Sequence, residues 1–265
     1  ASACLRGGVH SLDITGEIAV FEELARHDAE AKAAGITLLP GVGFDVVPSD
    51  CLAAHLKRRL PSATRLELAF RAVGGLSRGT ALTAIERLGK PGAVRRGGAI
   101  VPAPLGQPAR QVDFGRGPVS VAAIPWGDVS TAYYSTGIPN ITVYTTMPRP
   151  LPGLLRLGGA LGPLLGARPV RDVLRGLVRR QPPGPDSEAR ARGVSLLWGE
   201  AADDEGRRVA ARLRAPETYT LTAMTAVLIA EKVLAGQWTA GFQTPARAYG
   251  PDLIMEIEGV ERVDL

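Results

Sequence analysis

Lysine is nearly missing from this chain: Lys32, Lys57, Lys90 and Lys232 are the only lysines among 31 basic residues, and arginine supplies the rest of a net charge of +5. With the high Gly, Ala and Pro content, this one-sided choice points to genomic base composition before it points to a basic binding surface. Nothing in the pattern resembles a nucleic-acid module, so no nucleic-acid partner is expected. Cysteine is as scarce. Cys4 and Cys51 are too few for a disulfide framework, and with His10, His27 and His55 they show no metal-ligand spacing, so a reducing cytoplasm without a metal site is the simplest setting. Long hydrophobic runs are lacking too. The most apolar stretch, Leu151 to Ala167, is interrupted by Pro152, Arg156 and Pro163 and is shorter than a bilayer span requires. No secretory signal opens the sequence, which begins Ala1-Ser-Ala-Cys-Leu-Arg-Gly-Gly8. What is present, 265 residues of which 45% are apolar, can bury one large core or two modest ones and excludes a disordered or fibrous chain.

The organising stretch is Ile36 to Leu52. Ile36 to Pro40 is too short for a helix and is bounded by Gly35 and Gly41, so it reads as a buried strand. Gly41 and Gly43 open a loop whose backbone can take positive φ or approach a ligand. Pro48, Ser49 and Asp50 then start a helix reaching Arg59, with Ser49 as its N-cap. The same order occurs upstream, where His10 to Thr15 alternates like a strand and Gly16-Glu17 leads into a helical run from Ala19 to Ala34. Two strand-loop-helix units in tandem predict neighbouring parallel strands, with loops 13–17 and 41–50 at one sheet edge, the place where ligands bind in doubly wound sheets. The first eight residues read as the end of a helix stopped at Gly7 or Gly8, so the chain is expected to start inside a domain. A Gly-x-Gly-x-x-Gly fingerprint occurs nowhere in it.

Beyond Pro61 the character changes. Thr64 to Arg71 has the period-2 pattern of a half-exposed strand, and Ser77 caps a predicted helix that runs through Leu88 and stops at Gly89. Residues 99–101, 111–114, 119–124 and 141–146 read as antiparallel strands. The segment Pro125 to Pro139, rich in hydroxyls and tyrosines, either lines a polar pocket or is a connection whose aromatics fill the core. Val170, Val173, Leu174, Leu177 and Val178 fall at helical spacing among arginines, giving a basic amphipathic helix that suits a surface, an anionic membrane or the cover of a greasy channel. Gln181 to Arg192 reads as a linker, and 194–201 with 207–214 as a hairpin. A helix from Pro216 to Ala235 carries so little charge that burial between layers is expected, with the tail 242–265 packed near it.

The runs Leu12-Asp-Ile-Thr-Gly-Glu17, Leu39-Pro-Gly-Val-Gly-Phe-Asp-Val-Val-Pro-Ser-Asp50, Gly75-Leu-Ser-Arg-Gly-Thr80 and Pro125-Trp-Gly-Asp128 together resemble the saccharopine dehydrogenase-like oxidoreductases. The resemblance is nearest to the bacterial branch of trans-acting enoyl reductases. It implies an α/β fold: an incomplete Rossmann-type doubly wound parallel sheet, residues 1–60 completed by 216–265, with an inserted α+β mixed-sheet catalytic domain at 61–215. It implies NADP or NAD as cofactor, bordered by Thr15, Gly16, Glu17, Gly41, Gly43, Phe44 and Asp45. Tyr133 or Tyr134 would donate a proton, and Arg78 would hold a carboxylate or thioester. Enoyl reduction on an acyl or lipid-like substrate is the leading expectation, with residues 151–180 as apolar substrate surface and peripheral membrane contact. A saccharopine-type C–N oxidoreductase and a non-catalytic lipid-associated protein are the alternatives. The oligomeric state and the choice between NADPH and NADH stay open.

Overall fold

Two sheets of different kind organise the chain. The computed structural model describes residues 1–73, 75, 77–86, 90–104, 106–146 and 167–265. After a short helix α1 (Ser2–Gly7), strand β1 (Ser11–Leu12) pairs in parallel with β2 (Thr37–Leu39). They are joined by α2 (Ile18–Arg26) and α3 (Asp28–Ala33). The expected single helix over 19–34 is broken at His27, whose ψ of 11° falls outside the α region. The strands are shorter than their apolar patterns because Asp13 accepts a hydrogen bond from Thr15 N at 2.8 Å, which turns the chain out of the ladder.

Helix α4 (Val47–Arg59) follows β2, and its nine buried residues wedge it against the second sheet. Its N-cap is Val46 and not Ser49, which lies inside the first turn. The second sheet is mixed. Its central strand β3 (Arg65–Val73) runs parallel to β8 (Asn140–Thr146) and antiparallel to β9 (Val194–Ala202), which forms the expected hairpin with β10 (Arg208–Pro216). On the other side lie β4 (Gly92–Arg96), β5 (Ala99–Ala103), β6 (Ala109–Asp113) and β7 (Pro118–Ala123). Strand β4 escapes the sequence pattern because its buried member Arg95 reads as a surface residue. β3 alternates Leu66, Leu68 and Phe70 toward the helices, while its other face places Ala69 against Trp198, Tyr144 and Phe114. The strand is therefore covered on both sides.

Three further expectations are corrected. Residues 128–136 form a helix, α6 (Asp128–Thr136), ended by Gly137 at φ 71°. The Ser135 and Thr136 hydroxyls of α6 bond back to the carbonyls four residues earlier, which lets a hydroxyl-rich segment stay helical while buried. The linker 181–192 holds a helix, α8 (Ser187–Arg192), capped by Asp186, while α5 (Arg78–Glu86), capped by Ser77 Oγ, lies beside α7 (Arg168–Arg179) through Arg175 and Glu86. Helix α7 ends before the linker, where the amphipathic pattern over 170–178 places it. Helix α9 (Thr218–Leu234) is capped by Glu217, which replaces Pro216 as its start, and it buries the single stripe Leu221, Thr225, Ile229 and Val233 while Val227 and Leu234 stay exposed.

Strand β11 (Gly241–Phe242) then returns to the small sheet beside β2, giving the order β1-β2-β11. Helix α10 (Pro245–Tyr249) follows, and β12 (Glu261–Asp264) crosses back to pair with β10, so the tail serves both sheets. One hydrophobic cluster runs from Leu39 through Leu52 and Leu56 to Leu66, Leu197 and Leu213, so the core is continuous across residue 60. Residues 147–166, with most of the apolar stretch, lie outside the described residues. Among those described, no helix is long and apolar enough to cross a membrane.

Candidate functional site at the ends of the parallel strands

The loops after β1 and β2 meet at the carboxyl ends of the two strands. Val42 N donates to Asp13 O at 2.9 Å. A Cβ added to Gly16 would overlap the Asp45 carboxylate, so the glycine is what allows the loops to close on one another. Thr15 is positioned by Asp13, and its Oγ1 accepts from Glu17 N at 3.2 Å. This first loop is open to solvent, with Ile14 at 60% exposure and Glu17 exposed.

The second loop is sealed. Gly41, Gly43 and Phe44 are buried, and Asp45 is the partly exposed member. Gly41 takes φ 72°, with Phe21 packed where a side chain would be. Gly43 does not take the positive φ considered for it; its need is space, because a Cβ there would stand 2.8 Å from the Thr222 methyl group of α9. Thr222 Oγ1 also accepts from Phe44 N at 3.1 Å, and Thr225 Oγ1 donates to Val42 O at 2.8 Å. Two threonines of α9 thus replace the ladder partners that this loop lacks.

Tyr133 and Tyr134 sit on α6, in a cluster built around Glu22 of α2. Tyr134 donates its hydroxyl to Glu22 Oε2 at 3.1 Å, and Ser130 and Arg95 share the other carboxylate oxygen. Burial, and then the Glu22 charge, push Tyr134 up to about 12, which makes it a weak proton donor. Tyr133 lies under the Arg95 guanidinium, 4.3 Å from its ring centroid. Arg78 stands at the start of α5, and its Nη1 donates to Arg179 O at 3.3 Å on the α7 side. The structure therefore brings together Thr15, Gly16, Glu17, Gly41, Gly43, Phe44 and Asp45, gives the two tyrosines a cluster of their own, and engages Arg78 with α7.

Beneath the loops lies a pair of buried carboxylates whose place the sequence did not disclose. Asp50 accepts from Ser135 Oγ at 2.5 Å and from Ala246 N at 2.8 Å, and burial raises it to about 6 against the pull of those bonds. Asp128, the first residue of α6, accepts from Ser49 Oγ at 2.9 Å; burial and the neighbouring Asp50 hold it well above the usual carboxylate range. Its Oδ1 and Thr131 Oγ1 are buried without a hydrogen-bond partner among the described residues. Burial makes both acids hold a proton more readily than an exposed carboxylate does, and their hydrogen bonds join α4, α6 and α10. A usable signal exists in the sequence: each acid sits in an apolar stretch with hydroxyl residues beside it, Val47-Pro-Ser-Asp-Cys-Leu52 and Trp126-Gly-Asp-Val-Ser-Thr131.

The architecture has solved counterparts. Saccharopine dehydrogenase (L-glutamate forming) from Saccharomyces cerevisiae matches with a TM-score of 0.62 at 11% identity, covering 100% of this chain and 81% of the yeast chain. The fold is similar to that of saccharopine dehydrogenase. At this identity the likeness establishes the α/β fold, with its Rossmann-like parallel strands and mixed sheet, and leaves the chemistry to the site. GenD2 from gentamicin A biosynthesis, solved in complex with NAD, matches with a TM-score of 0.34 at 16% identity, covering 100% of this chain and 74% of GenD2. No protein-family model matches the chain, and no curated protein sequence matches it.

Proposed function

We propose that this chain belongs to a nicotinamide-dependent oxidoreductase, NADP or NAD being the cofactor, and that the open loop Ile14 to Glu17 borders the nicotinamide. The observation that carries the reading is the closure of two loops over the carboxyl ends of parallel β1 and β2, in a fold similar to a dehydrogenase. The fit is one-sided. Ile14, Thr15 and Gly16 offer accessible backbone and a hydroxyl, whereas Gly41, Gly43 and Phe44 stand behind them and support the edge. When bound, the cofactor supplies the hydride. The chain's own residues orient it: Asp13 fixes Thr15, Gly16 admits the Asp45 carboxylate to the loop edge, and the Asp50–Asp128 pair keeps the edge rigid from below.

The substrate we favour is an enoyl group on an acyl or lipid-like chain, supported by the apolar exposed residues Val173 and Leu177 of α7. The test has two parts. Gly16→Val should fold yet lose nicotinamide binding, read by energy transfer from tryptophan; retained binding by a folded variant rejects the loop assignment. Long-chain and short-chain enoyl thioesters are then compared with saccharopine in nicotinamide-coupled assays. Faster turnover of saccharopine than of any enoyl thioester rejects the substrate and leaves the cofactor reading standing.

A further inference from the structure

Where α9 begins, α8 and the adjoining ends of β9 and β10 enclose a half-open cavity of about 510 Å³, within the range that holds a small molecule. Arg190, Arg192 and Arg214 stand in its wall together with Thr220. The wall's one acid is buried Glu217, and its Oε2 accepts from Tyr219 N, Thr220 N and Thr220 Oγ1. That charge is therefore turned into the helix end, where the macrodipole favours it. Gly193 makes room for it: a Cβ there would stand 2.6 Å from Glu217 Cγ.

The arginines keep capacity for a ligand. Arg190 uses Nη1 on Pro185 O at 2.6 Å. Arg192 pairs with Glu188 at 3.0 Å, both side chains being 73% exposed, a pairing of the kind that water and salt readily exchange. Arg214 has no side-chain hydrogen bond or ion pair among the described residues, although Glu261 lies opposite it in the β10–β12 register. Three planar guanidinium forks around a cavity with apolar wall at Val194 and Ala215 match carboxylates or phosphates in bidentate geometry.

We propose that this cavity binds a small molecule carrying two or more oxyanion groups, carboxylate or phosphate, with Arg214 as its principal anchor. The site is distinct from the strand-end loops. Thr220 lines the cavity while Thr222 bonds Phe44, and two residues apart means about 200° around the helix, so the two sites occupy opposite sides of α9. The inference stands whether or not the chain is an oxidoreductase.

Calorimetric titration of the full chain at low ionic strength, with pyrophosphate and separately with glutarate, tests it. Binding of at least one probe at one site per chain is expected, and Arg214→Gln should weaken it by about tenfold or more with an unchanged melting temperature. Arg208→Gln, on the same strand and outside the cavity, should leave affinity unaltered. Pyrophosphate alone binding assigns a phosphorylated ligand, and glutarate alone a dicarboxylate. Should Arg214→Gln melt early, Arg214→Lys keeps the charge without the fork and should still bind more weakly. Failure of both probes to bind, or equal losses in Arg208→Gln and Arg214→Gln, overturns the proposal.

Discussion

The two strand-end loops look alike in sequence and do opposite work. Loop 13–17 is held by its own side chains, Asp13 on Thr15 and Thr15 on Glu17, and stays open. Loop 41–45 is held from far along the chain by Thr222 and Thr225 and is mostly buried. A glycine in the first loop makes room for a neighbouring loop at a surface; a glycine in the second makes room for a helix in the core. The difference teaches that a Gly-rich loop after a strand is not by itself a ligand cradle, since what occupies the missing Cβ position decides its role.

The strongest way to break this comparison is Gly43→Val. Its side chain must displace α9 and with it two hydrogen bonds, so denaturant unfolding should show a loss of about 3 kcal/mol or more. A stable variant with impaired ligand binding would mean that the second loop is also open. Next in size is Asp50→Asn. Burial raises Asp50 from its ordinary 3.8 to about 6, so the folded state binds the proton more tightly than the unfolded one. Its contribution is favourable below about pH 4 and is lost as pH rises to about 6, up to about 3 kcal/mol by linkage. The difference in unfolding free energy between wild type and Asp50→Asn, measured from pH 4 to 7, should follow that window; a flat difference contradicts it. Acids held low, such as Asp252 beside Arg58 and Arg262 at about 2, act in the opposite direction at lower pH and cancel in the subtraction.

Thr222→Val is smaller. It leaves Phe44 N without its acceptor and should cost about 1–2 kcal/mol, whereas Thr15→Val in the open loop, where water can replace the lost partner, should cost under about 0.5 kcal/mol. Equal effects would erase the contrast between the loops. The smallest expected change is Leu177→Ser on α7, 56% exposed, which should alter stability by less than about 0.5 kcal/mol. A large loss there would show that α7 is covered in solution.

Local patterns made much of this legible. The strand-loop-helix order, the alternation of β3, the Ser77 cap and the β9–β10 hairpin each depend on neighbours within a few residues. What stayed hidden depends on partners brought from elsewhere. Helix α6 reads as a connection because its hydroxyls are satisfied by its own backbone and by Asp50 and Glu22, neither of which is near in sequence. Asp50 and Asp128 lie far apart in sequence, and only the packing of α4 beside α6 makes them neighbours. Gly43 reads as a loop glycine because Thr222 is needed to show what fills the space beside it.

The reach from Phe44 N to Thr222 spans 178 residues of chain, and β2 also awaits Gly241 and Phe242 before its second edge is paired. At ordinary synthesis rates that interval lasts roughly 10–40 seconds. Throughout it α9 is still to be made, so Val42 and Phe44 stay uncovered, and closing so long a loop is itself slow. The small sheet therefore waits on both α9 and β11, so its loop and its second edge are finished long after β1 and β2 are made.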